Sequence, residues 1–238
     1  MLWDVGLIGV LSVVGEGAAV PTPEGGIDQM PLDGHVDSQL VWSTHPASGW
    51  SHADGARTVV IPRGNPGSFD AGMVMGTTRE PITTDDEHRW YYTGCSVTHG
   101  GPLSQKRMSI GLATWRLHRF LSLDVADDRR CGIVETVTLR LPRGQLELNA
   151  DVPEQQGRIF VELLDSTTRQ TVEGRAAADC NPVCGDSLRH VVQWGTGSLI
   201  EAGEYRLVFR MQGRSRLFAF TMVAFAEQVS TTPCRERL

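Results

Sequence analysis

The strongest pattern in the chain is a period-two alternation of apolar and polar positions between Gly132 and Phe225. Leu146 and Leu148 alternate with Glu147 and Asn149. Ile159, Val161 and Leu163 alternate with Phe160, Glu162 and Leu164. Tyr205, Leu207 and Phe209 alternate with Arg206, Val208 and Arg210. Alternation of this kind turns one face of a strand inward and the other outward. Ile133, Val137, Leu139 and Leu141 mark a further strand, Val191, Val192 and Trp194 another, and Leu217 to Phe225 is a more continuously apolar one. Turn sequences such as Pro142-Arg143-Gly144 and Gln212-Gly213 separate them. The pattern predicts an antiparallel β-sandwich over residues 131–228.

Residues 1–126 carry shorter apolar runs. Gln39–Ser43, Thr58–Ile61, Phe69–Gly76, Arg89–Thr93 and Ser109–Trp115 read as strands, with Gly-, Pro- and Asp-rich turns between them. Gly15–Gly34 reads as an irregular loop. Nothing in the chain has a helical period, so the fold class is all-β. The charged stretch Ala126–Arg130 (ADDRR) marks the boundary between the two parts.

Composition narrows the function classes. The formal net charge is −6, and no run of basic residues occurs, which argues against a nucleic-acid partner. Lys106 is the only lysine, a bias read as genomic before it is read as functional. No apolar stretch approaches the 18 residues of a membrane span, so the chain reads as soluble. Leu7–Val14 (LIGVLSVV) has two readings, the apolar region of a short secretion signal or a β-strand. The five cysteines give no complete disulfide framework. Cys180 and Cys184 supply two zinc ligands at best, and unpaired thiols are the preferred reading.

Longer segments resemble a known family. Ile110–Asp124 (IGLATWRLHRFLSLD), then Asp179-Cys180-Asn181-Pro182 and Gly185–Trp194 (GDSLRHVVQW), are similar to the C-terminal portion of glycoside-hydrolase-like proteins of the invertase and arabinanase type. Gln39–Ser43, Gly67–Met73 (GSFDAGM), Trp90–Gly94 (WYYTG) and Thr98-His99-Gly100 resemble blade segments of the same proteins. The resemblance implies a five-bladed β-propeller followed by a β-sandwich, and hydrolysis of glycosidic bonds by paired carboxylates. A full propeller needs roughly 250 residues or more at four strands per blade. The first part is half that length, so the expectation is a partial propeller of about two blades. A non-catalytic carbohydrate-binding or structural module is the alternative, and the short first part favours it.

Glycosidic hydrolysis needs two carboxylates facing one another. Asp70, in the Gly-rich segment after Phe69, and Glu80, held extended before Pro81, are the candidate pair. Asp85-Asp86-Glu87 reads as a hairpin tip, because three adjacent carboxylates repel when buried. His99, flanked by Gly100 and Gly101, and the aromatic Trp90, Tyr91 and Trp42 are candidate sugar contacts, set against core roles for the aromatics. Asp179, Asp186, Ser187, Arg189 and His190, around the Cys180–Cys184 loop, read as structural groups, with a sugar-binding role as the alternative. No histidine spacing supports a metal, and no cofactor fingerprint is present. The expected partner is a carbohydrate, with self-association through open strand edges as a further expectation.

Overall fold

A computed structural model describes residues 7–14, 34–43, 45, 47–52, 57–78, 80–126, 130–195 and 197–225. Among these the chain is all-β, with one short 3₁₀ turn at Leu103–Gln105. Several sheets form, and none closes into a barrel. Two compact units divide at Leu121/Ser122. No helix among the described residues is long and apolar enough to cross a membrane.

The first unit holds one connected sheet. β1 (Leu7–Val14) runs antiparallel to β2 (Val36–Ser43) over eight residue pairs. Leu7–Val14 is therefore a strand in the structure. Two short strands, β3 (Ser51–His52) and β4 (Val59–Ile61), also pair with β2. β5 (Met73–Thr77) meets β2 in parallel at a single pair, Val36 and Met73. β5 and β6 (Ile82–Thr83) then pair antiparallel with β7 (Glu87–Cys95), and β7 pairs with β8 (Met108–Arg116) over nine residues. The expected strand Phe69–Gly76 is shorter than its apolar pattern. Residues 66–72 are turns and bends, because Ser68 and Ala71 close local hydrogen bonds to Asn65 and Ser68.

Alternation on β7 sorts the side chains. His88, Trp90 and Tyr92 are buried, whereas Arg89 and Tyr91 are exposed on the other face. Tyr92 joins Ile61 and Val74 in a small core, and Val36, Met73 and Cys95 form a second cluster. Gly111 is required on β8, since a Cβ there would lie 2.2 Å from the Tyr92 ring.

The second unit has two sheets. In one, β10 (Cys131–Glu135), β11 (Leu139–Leu141) and β13 (Gly157–Asp165) all pair with β16 (Gly203–Gly213). In the other, β12 (Gly144–Val152) lies between β14 (Gly185–Val191) and β17 (Arg216–Ala224). Two short strands, β9 (Leu123–Asp124) and β15 (Leu199–Ile200), extend that sheet. The single strand expected over Ile133–Leu141 is split into β10 and β11. At the break the Leu207 N–H donates to Thr136 Oγ1 instead of a backbone carbonyl, and the register against β16 moves by one residue.

The alternation places much of the core, although Ile133 and Val137, two apolar markers of the first expected strand, are exposed. Leu146, Leu148, Ala150 and Val152 of β12 are fully buried, as are Ile159 and Val161 of β13 and Leu207 and Phe209 of β16. Phe209 of one sheet meets Phe220 of the other at 5.4 Å between ring centroids.

Candidate functional site

Asp70 is the one carboxylate of the expected pair that is held inside the fold, at 7% exposure. The turn at 66–72 brings it against β7. Tyr92 Oη donates to Asp70 Oδ2 at 2.7 Å, and Ser68 Oγ donates to Oδ1 at 2.8 Å. Burial raises the carboxyl pKa. Hydrogen bonds from Tyr92, Ser68 and the Asp70 and Gly64 backbone outweigh it and hold the group below the usual carboxylate value. Burial and the Asp70 charge push the Tyr92 phenol up to about 12. Gly64 and Gly94 wall the site: a Cβ at Gly64 would lie 2.2 Å from Asp70 Oδ1, and one at Gly94 would lie 2.6 Å from Asp70 Cβ.

The other expected site residues lie elsewhere. Glu80 is exposed on the connection between β5 and β6, where its carbonyl accepts the Thr78 hydroxyl. Trp90 is buried against Trp115 and Phe120, both at 5.5 Å, and its Nε1 has no hydrogen-bond partner. Tyr91, the next residue, faces the opposite side of the sheet and is 44% exposed. Trp42 is exposed on β2. His99 is half-buried. Its N–H donates to the Gly34 carbonyl, and its own carbonyl accepts Lys106 Nζ at 2.7 Å. The six residues thus divide between the interior and two or more exposed positions.

Clefts lie in both units, one in the first and a larger one in the second. The smaller, about 420 Å³, lies in the first unit between the 63–72 segment and residues 96–98. Its charged groups already have internal partners. Arg63 Nε donates to Asp37 Oδ1 at 2.7 Å and its Nη1 to the Ala71 carbonyl, while His35 Nδ1 lies 3.1 Å from the Gly72 carbonyl.

The cleft in the second unit, about 630 Å³, has a different character. Asp151, Arg216 and Asp124 stand opposite one another on the neighbouring strands β12, β17 and β9. They form a carboxylate–guanidinium–carboxylate row along the cleft, with long separations of 3.7 Å to Asp124 and 3.9 Å to Asp151. Arg214 and Gln156 form its rim, joined at 3.2 Å. Val125 and Pro153 supply apolar lining. Ser215 is buried and committed to the Gln212 and Arg158 carbonyls, which fixes the turn carrying both arginines.

No family model, curated protein or solved structure matches this chain.

The site in the second unit was missed in the sequence because its members are 92 positions apart at the extremes and meet only through strand register. The one local signal is the Arg214-Ser215-Arg216 triplet at a hairpin. Among the described residues, no group of three His, Cys, Asp or Glu side chains is placed to hold a metal. Cys95, Cys131, Cys180 and Cys184 are free thiols. Cys180 Sγ accepts the Val161 N–H, and burial pushes its thiol pKa up.

A histidine pair stands apart from both clefts. His88 Nε2 lies 3.4 Å from His118 Nδ1, His88 Nδ1 is 2.9 Å from Thr83 Oγ1, and Phe120 stacks on the His88 ring at 5.1 Å. Burial lowers the pKa of both, that of His118 to about 4. The unfolded chain therefore takes up these protons first as the pH falls. The stability contributed by the neutral pair is complete above about pH 6.5 and is lost as the pH drops toward 4. Thermal unfolding of the first unit is expected to fall by about 4 °C between pH 7 and pH 5. His118→Asn, which tolerates the positive φ of 57° at this position, is expected to remove more than half of that dependence. An unchanged pH slope in the variant would show that the pair does not govern it.

Proposed function

We propose that this protein is a non-catalytic carbohydrate-binding protein whose ligand occupies the cleft of the second unit. The observation that carries this reading is the Asp124–Arg216–Asp151 row. Carboxylates accept hydrogen bonds from neighbouring hydroxyls of a sugar ring, and guanidinium and amide groups donate to its oxygens. The long ion pairs leave Arg216 and Asp151 less committed than the short Arg63–Asp37 pair of the first unit, while Asp124 also accepts the Ser122 hydroxyl. The apolar lining gives the ring's C–H faces a contact surface.

In the finer fold reading, the second unit is a β-sandwich, supported by the Phe209–Phe220 contact and the buried alternate residues of both sheets. Support for a blade of a partial propeller is confined to the antiparallel ladder β5–β7–β8. The glycoside-hydrolase reading is the weaker one. It would require Asp70 to exchange Tyr92 and Ser68 for a substrate, with Glu80 exposed and Asp70 buried.

Isothermal titration against a panel of neutral oligosaccharides tests the proposal. Binding is expected in the micromolar to millimolar range, weakened at least tenfold by Asp151→Ala and by Arg216→Ala. Binding unaffected by both variants, or no binding to any member, would remove the cleft as a sugar site. Turnover of aryl-glycosides would instead revive the hydrolase reading.

A further inference from the structure

Independently of the cleft, we infer that two copies of this chain pair through β8, antiparallel and about a dyad at Leu112. β8 has β7 on one side, and no other described strand pairs with it. The hydrogen bonds at either end of the ladder fix which of its groups are used. The Ser96 N–H donates to the Arg107 carbonyl, and the Leu117 N–H donates to the Asp86 carbonyl. In an antiparallel ladder hydrogen-bonded residues alternate, so Ser109, Gly111, Ala113 and Trp115 bond to β7. Ile110, Leu112 and Thr114 therefore aim their N–H and C=O groups away from it.

Those three residues are self-complementary. With the dyad at Leu112, Leu112 faces Leu112 of the second copy, and Ile110 faces Thr114 of the second copy. Each such pair is of the hydrogen-bonded kind, so about six backbone hydrogen bonds form and the sheet continues across the dyad. The same register brings no like charges together, because Arg116 comes opposite Met108 and keeps Glu87 as its own cross-strand neighbour. The side chains favour it as well. Ile110 is 76% exposed and Leu112 49%, and Tyr91 lies beside Leu112 on the same face. Pairing aligns an apolar row of Tyr91, Leu112, and their two counterparts. Natural edge strands are blocked by charges, prolines or bulges. The stretch Ser109–Trp115 carries none of these.

Sedimentation equilibrium of the full chain from about 1 to 100 μM tests the inference. A monomer–dimer equilibrium is expected. Leu112→Lys, which sets two ammonium groups against each other at the dyad, is expected to weaken it more than tenfold. Thr114→Pro removes an outward N–H without touching the β7 ladder, and the same loss is expected with an unchanged circular dichroism spectrum. Val137→Lys, at an exposed position of the second unit, should leave the dimer intact. A wild type that stays monomeric at 100 μM overturns the proposal. So does open-ended assembly in place of a dimer, or dimers that persist in Thr114→Pro. Should Leu112→Lys fail to fold, Thr114→Pro alone decides.

Discussion

Trp194→Ala is expected to cost the second unit about 4 kcal/mol, the largest loss of any single substitution considered. Trp194 is 2% exposed and lies outside regular strands. Its indole Nε1 donates to the Val161 carbonyl at 2.9 Å, tying the 192–195 segment to β13. The Arg175 guanidinium sits 5.1 Å from the ring centroid and is itself anchored on the Gly174 and Leu199 carbonyls. The backbone of Trp194 bridges to Cys180 and Gly197. Removing the ring therefore opens a cavity, orphans the Val161 carbonyl and uncovers the face of a cation. Trp194→Phe keeps most of the apolar volume and loses the N–H, so about 1–2 kcal/mol is expected from it. Urea unfolding followed at second-unit amide resonances measures both. A cost below about 1.5 kcal/mol for the alanine variant would mean that the site collapses around the missing ring.

Asp70→Ala is expected to cost the first unit about 3 kcal/mol, because Tyr92 Oη is left without its acceptor in a buried site and Ser68 Oγ keeps only the Asn65 carbonyl. Asp70→Asn keeps the shape and presents an amide where two donors converge, at about 2 kcal/mol. Tyr92→Phe is expected to cost about 1.5 kcal/mol. A double-mutant cycle between Asp70 and Tyr92 should give a coupling of about 1–3 kcal/mol. The pH dependence has a fixed sign. The folded-state carboxyl sits below its ordinary value of 3.8, so the unfolded chain binds the proton first. The contribution is complete above that value and is lost as the pH falls through the lowered one. A coupling near zero would show that the carboxylate and the phenol are held in place by their neighbours and not by each other.

The second unit was legible because its strands are buried on alternate positions. Leu146, Leu148, Ile159, Val161, Leu207 and Phe209 could be assigned to an inner face before any pairing was known. The first unit was less legible. Its strands are short, and its turns carry as much of the packing as its strands do. Asp70 was singled out as a catalytic carboxylate at the start of an expected Gly-rich strand, and the structure places it in a turn instead. Its partner proved to be Tyr92, reached by register between distant segments. The cleft residues Asp124 and Asp151 gave no signal, and Arg216 gave only that of the Arg214-Ser215-Arg216 triplet. Each is an ordinary polar residue near a strand end, and their alignment depends on the β12–β17–β9 order. Pairing order across a sheet is set by three-dimensional packing, and no local pattern encodes it.

The junction between β2 and β5 has a mechanical meaning. Tension drawn across the first sheet is shared over nine residue pairs between β7 and β8 and over eight between β1 and β2. Between β2 and β5 it falls on one pair, Val36 and Met73. Three stitches reinforce that seam: Ser38 Oγ to the Val74 carbonyl, His35 to the Gly72 carbonyl, and the His99 N–H to the Gly34 carbonyl. The seam at the middle of this sheet is thus held by one ladder pair, two side-chain bonds and one backbone bond, and the two long ladders on either side are expected to part from one another before either frays.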